Sequence, residues 1–150
     1  MGHLPAGETY NDPVIQLDIL PTALAAAGAP ASEDAKLDGV DLLPYLTGKE
    51  TGPPHETLYW RFGDQWAVRH GDWKLVGGGG GDLAGELYNI AKDKAESENL
   101  AGESHEKVTE LKSLWDQWNK QQAPPSAPKE PPNRAKRRNQ RQRAAKPAAS

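Results

Sequence analysis

The sequence predicts an α+β fold: a small antiparallel β-sheet of about four strands, packed by a C-terminal amphipathic helix, preceded by short helices and followed by a basic tail. Three observations predict it. Between residues 57 and 90, short runs of aromatic and β-branched residues alternate with glycine-containing breaks. Apolar residues at 108, 111, 114, 115 and 118 recur at three- and four-residue steps. Charge is lopsided, because net charge is −3 overall while residues 129–150 hold eight Lys or Arg against one Glu, leaving about −10 on the remainder.

The elements follow in order. Asp18 is placed to cap a helix that tolerates Pro21 in its first turn, propagates through Ala23 to Ala27 and ends at Gly28. Leu17, Leu20 and Leu24 share one side of that helix and are expected to be buried. A second short helix is expected around Leu42 to Leu46, between Asp41 and Gly48. Leu58 to Trp60, Trp66 to Val68, Trp73 to Val76 and Glu86 to Ile90 read as four strands. Gly63 with Asp64 turns the first hairpin, His70 to Asp72 the second, and the run of five glycines from Gly77 to Gly81 a third.

The helix over Ser104 to Gln122 should lay its apolar face on that sheet. Ser104 lacks the acidic partner of a full capping box, while Glu103 and Glu106 suit the positive end of the helix dipole. Pro124, Pro125 and Pro128 end regular structure, and the Pro-, Arg-, Gln- and Ala-rich remainder is expected to be disordered for want of apolar surface. The reading is therefore three segments, at 1–54, 55–122 and 123–150.

Composition sets limits. There is no cysteine, so disulfides and thiolate metal sites are excluded and the compartment cannot be read from redox chemistry. No stretch reaches the roughly 18 apolar residues of a membrane span, and the N-terminus lacks the basic flank and apolar centre of a secretory signal.

Several segments together resemble the C-terminal part of the formylglycine-dependent sulfatases, of the arylsulfatase and N-acetylgalactosamine-6-sulfatase kind. The motif A-V-R-x-G-D-W-K-L-V ends at Val76, a glycine-rich break follows, and then come Glu86, Leu87, Tyr88 and Asn89, a charged stretch, and Asn99, Leu100, Ala101. Leu17 to Thr22 is similar to the family's D-x-x-P-T segment, and Leu37 to Leu46 to its L-D-G-V-x-L-x-P-x-L segment. The likeness runs from about Pro13 to Trp118. It departs from the family at Asn89, where Asp is usual, at Lys94, where Pro usually follows Asp93, and in the glycine run.

The resemblance implies a sulfuric ester hydrolase acting on sulfated sugars or aryl sulfates. It also implies that residues 1–54 belong to an alkaline-phosphatase-like α/β domain. Full-length members use calcium and a formylglycine made from Cys or Ser in C/S-x-P-S/A-R. Ser126, Ala127, Pro128, Lys129, Glu130 is the nearest local match and fails at the last two positions, and Asn11 with Asp12 lacks the carboxylate partners of a calcium site. The expectation is a C-terminal piece that binds no cofactor itself and is inactive alone. Relatives are often exported, but the chain itself carries no readable address.

In the family, loops of this subdomain border the substrate cleft, so a cleft wall built from Trp60, Arg61, Asp64, Arg69 and His70, with Trp66, is the candidate site. Arginine presents a fork of donors to sulfate or carboxylate, and tryptophan a flat face to a ring. The alternative is structural: Trp60 and Trp66 in the sheet core, Arg69 paired with Asp64 or Asp72, and His70 in a turn. Trp73, Leu75, Leu87, Tyr88, Trp115 and Trp118 read as core, and Lys74 as solvated or ion-paired. His3, His55 and His105 lack a second ligand at metal spacing and read as exposed. A rival reading is an accessory module binding polyanions through Arg134, Lys136, Arg137, Arg138, Arg141 and Arg143.

Overall fold

The computed structural model describes residues 4–29, 32, 34–78 and 85–124. The glycine run beyond Gly78 and the basic tail lie outside the described residues, as do His3 and the six basic side chains named above. No helix among the described residues is long and apolar enough to cross a membrane.

Four strands, β1 (Thr57–Phe62), β2 (Gln65–His70), β3 (Trp73–Gly77) and β4 (Glu86–Asn89), form one antiparallel sheet in the order β1-β2-β3-β4. The meander follows from the two-residue breaks: Gly63, at φ 63°, takes the left-handed conformation that the first hairpin needs, and Gly71 with Asp72 turns the second. Those turns set the register, so that Tyr59, Val68, Leu75 and Leu87 stand in one row across all four strands.

Helix α3 (His105–Asn119) covers that row. Leu111 and Trp115 join Val68, Leu75 and Leu87 in the core, with Val108, Leu114 and Trp118 against its margin. The Tyr59 and Trp118 rings stack at 5.0 Å and 2°. Four aliphatic side chains here are wholly buried, and each contributes about 1.5–3 kcal/mol relative to exposure.

The N-terminal segment is different. A single 3-10 turn, Gln16–Asp18, leads into α1 (Ile19–Ala26), and a loop leads on to the short α2 (Leu43–Leu46). The expected burial of Leu17 and Leu20 is corrected here: both are 54% exposed, and Ile19 is 68% exposed. Helical spacing says which side of α1 is apolar, but no described element lies on that side. Leu24 is half-buried.

Candidate functional site

The most tightly held polar group belongs to a residue that the sequence suggests as a helix cap. Asp18 makes no capping bond to α1; instead its side chain accepts the N–H of Ile15, which caps the preceding 3-10 turn. Its carboxylate is wholly buried and accepts the backbone N–H groups of Ile15 at 2.9 Å and Val40 at 3.0 Å. His55 Nε2 approaches both oxygens, at 2.8 and 3.0 Å. The cap reading fails because the carboxylate has partners 22 and 37 residues away that a local rule cannot see.

Burial pushes the Asp18 carboxyl up, but the bonds from Ile15, Val40 and His55 outweigh it and hold it below the usual range. His55 is corrected with it: its side chain is only 11% exposed, because it closes this node just before β1. Thr22 extends the network through Oγ1, which accepts the Leu42 N–H at 3.0 Å. One buried carboxylate thus ties together the turn before α1, the loop at Val40 and the approach to the sheet.

Strand alternation divides the proposed cleft wall between two faces. Arg61, Trp66 and His70 share the face of Tyr59, Val68 and Leu75, beneath α3. Trp60 and Arg69 point to the opposite face, where Trp60 is 37% exposed. Phe62 shares that second face at 82% exposure, and Asp64 sits exposed in the hairpin turn.

Each side chain has definite neighbours. Arg61 donates to Asn119 Oδ1 at the end of α3 and to the Ala123 carbonyl beyond it. Arg69 Nε donates to the Gly71 carbonyl at 3.0 Å, and among the described residues no ion pair joins it to Asp64 or Asp72. His70 ends β2, with Nδ1 2.8 Å from Thr57 Oγ1. Trp66 lies 4.8 Å from Trp115, centroid to centroid, and a side chain at Gly77 would overlap its ring. Gly77 is therefore a close-approach position that lets Trp66 lie flat against β3.

Arg61, Asp64 and Trp66 meet again at a cavity of about 190 Å³ between the β1–β2 hairpin and the end of α3, completed by Gly63, Gln65, Trp115 and Asn119. Trp115 brings an unusual feature, because its indole Nε1–H is buried without a hydrogen-bond partner among the described residues. Trp60, Arg69 and His70 do not line this cavity.

On β3, Lys74 pairs with Glu96 of the loop after β4 at 2.6 Å. Asp93 organises the loop after β4 by accepting the N–H groups of Ala95, Ser97 and Glu98. Those bonds, the one from Glu98 foremost, hold its carboxyl below the usual range. Asn99 Oδ1 accepts the Leu87 N–H and so closes the edge of β4.

The described residues offer no donor set suited to calcium. Among the described residues no group of three or more His, Cys, Asp or Glu stands where it could hold a metal ion. Asp18, the one buried carboxylate among the described residues, faces N–H donors, which a cation site would not tolerate.

Comparison with known proteins places the chain among sulfatases. No family model matches it. Human steryl-sulfatase is 43% identical over 56 residues, which is 37% of this chain and 10% of that protein. The uncharacterized sulfatase YdeN of Escherichia coli strain K12 is 46% identical over 59 residues, 39% of this chain and 10% of that protein. Human arylsulfatase A is 31% identical over 142 residues, 75% of this chain and 28% of the relative. The solved structure of Ps i-CgsB in complex with k-i-k-neocarrahexaose matches 96% of this chain and 32% of its own, with a TM-score of 0.68 and 25% identity. A solved structure in complex with its substrate D-glucosamine-2-N,6-O-disulfate matches 69% of this chain and 23% of its own, at a TM-score of 0.54 and 25% identity. The chain therefore spans about a tenth to a third of the proteins it matches.

Proposed function

We propose, from the premise that this chain is a C-terminal portion of the sulfatase family, that it is the small sheet-and-helix part of a sulfuric ester hydrolase acting on sulfated sugars or aryl sulfates. The observation that carries this reading is the likeness over 96% of the chain to a sugar-bound structure, which spans the N-terminal helices as well as the sheet. Residues 1–54 then belong with the parent's larger α/β domain, residues 55–122 form the C-terminal subdomain with α3 as its amphipathic cover, and 123–150 is an appendage.

On this reading the catalytic groups come from elsewhere in the enzyme. Sulfate ester cleavage needs a nucleophile and concentrated positive charge for the developing oxyanions. The sequence has no cysteine and no complete C/S-x-P-S/A-R. What this portion would offer is a wall: Trp60 and Arg69 on the sheet face opposite α3, an aromatic ring and a guanidinium of the kinds that recognise a sulfated ring. Arg61, Asp64 and His70 stand apart from that pair: Arg61 bonds the end of α3, and His70 bonds Thr57 across the strand pair.

The test is hydrolysis of a chromogenic aryl sulfate by the purified 150-residue chain with calcium, beside a protein-free control. No turnover is expected. Turnover that survived repurification would overturn the reading, since it would require a nucleophile other than formylglycine.

A further inference from the structure

The cavity at the hairpin tip carries an inference that goes beyond sulfate chemistry, since nothing in it needs the ester-cleaving groups. We propose that the pocket lined by Arg61, Asp64, Gln65, Trp66, Trp115 and Asn119 is a binding site for one neutral, hydroxyl-rich ring of pyranose size.

Size is the first argument. About 190 Å³ is below the roughly 300–1,000 Å³ of pockets for drug-sized molecules and suits a single small ring. Chemistry is the second. The walls combine the Trp66 and Trp115 indoles with a rim of amide, carboxylate and guanidinium groups, so an apolar ring face and several hydroxyls are served together.

The third argument is the orphan donor. Trp115 is 9% exposed and its Nε1–H has no partner among the described residues, a condition that costs about 1–3 kcal/mol and that a ligand oxygen would relieve. The donor is shielded from water, so a ligand reaches it through a side-chain adjustment of the pocket wall, as is common on binding.

Charge selects the neutral ligand. Arg61 already donates through both terminal nitrogens, to Asn119 and Ala123, and the Asp64 carboxylate stands at the same rim. Lys112, near both indoles, is committed to Asp116. A sulfate would thus meet a carboxylate and cations that are already engaged. A hydroxyl both donates to Asp64 and accepts from Trp115.

The test follows the five tryptophan indole N–H signals of the ¹⁵N-labelled full chain. Methyl β-glucoside and glucose 6-sulfate are titrated separately, and the Trp115 signal is identified by its loss in Trp115→Phe. The expected result is a saturable shift of that signal with methyl glucoside at a Kd of about 1 mM, at least as tight as for the sulfated sugar. Asp64→Ala and Gln65→Ala, exposed changes that do not depend on refolding of the core, should each weaken binding about threefold to tenfold. Absence of a saturable shift, tighter binding of the sulfated sugar, or binding unchanged in both exposed variants would each overturn the proposal.

Discussion

The sheet with its helix and the segment before it are built on opposite principles. The first hides Val68, Leu75, Leu87 and Leu111 completely and, among the described residues, buries no charged side chain. The second hides a carboxylate, Asp18, and leaves Leu17, Ile19 and Leu20 in solvent. One region is held by apolar area removed from water, the other by a few directed bonds around one charge. A region organised in the second way has its shape without having used its apolar surface. On the proposed reading this segment packs in a larger domain, and the relatives the chain matches are themselves covered only to about a third of their length or less.

The largest effect is expected where the sheet's core is emptied. Leu75→Ala removes a wholly buried side chain from the row under α3 and should cost about 2–5 kcal/mol. Urea unfolding followed by tryptophan fluorescence would report it. A cost below that range would mean that the row collapses around the gap, and the contrast between the two regions would weaken.

Asp18→Asn probes the other region. The amide turns an acceptor for three donors into a group with a donor of its own, at an expected cost of about 3 kcal/mol. Loss of hydrogen-exchange protection should concentrate in residues 15–26 and 40–43. Equal loss in β2 and β3 would show that the node and the sheet unfold together. Acid should act in the same direction: a carboxyl held below its usual range contributes stability that is present above the unfolded value of about 3.9 and is lost as pH falls through the folded one. The protection of residues 15–26 should therefore drop below about pH 4 in the wild type and be insensitive to that step in Asp18→Asn.

How much of this was legible in the sequence follows the same division. The sheet could be read because its causes are local: Leu58 to Trp60, Trp66 to Val68 and Trp73 to Val76 favour strands, and Gly63 and Gly71 mark two-residue turns that leave one antiparallel register. The node around Asp18 could not, because its partners at Val40 and His55 meet only in the folded chain. The one available signal was a carboxylate flanked by Leu17 and Ile19, a setting in which a charged group needs partners. The division of the candidate wall between two faces follows from the register rather than from sequence proximity. Trp60 and Arg61 are adjacent in sequence, and adjacency in a strand puts side chains on opposite faces.

A smaller effect is expected at Gly77→Ala. The added methyl meets the Trp66 ring, and overpacking of this kind costs about 1–3 kcal/mol. Near-ultraviolet circular dichroism should change with it, because the Trp66–Trp115 contact is displaced. An unchanged spectrum with full stability would mean that Trp66 has another resting place.

The smallest effect is the sharpest test of the comparison. Ile19→Ser replaces a large apolar side chain, a change that would cost several kcal/mol in a core, yet Ile19 is 68% exposed, while α1 is tied to the following loop through the Thr22–Leu42 bond. Stability of the 150-residue chain should move by no more than about 0.5 kcal/mol in urea. The two residue types also differ little in helix propensity, so α1 itself should persist. A loss of 2 kcal/mol or more, on the order of a core truncation, would show that Ile19 is covered in solution. The segment would then have a core of its own, and the proposed place of residues 1–54 in a larger domain would lose its structural support.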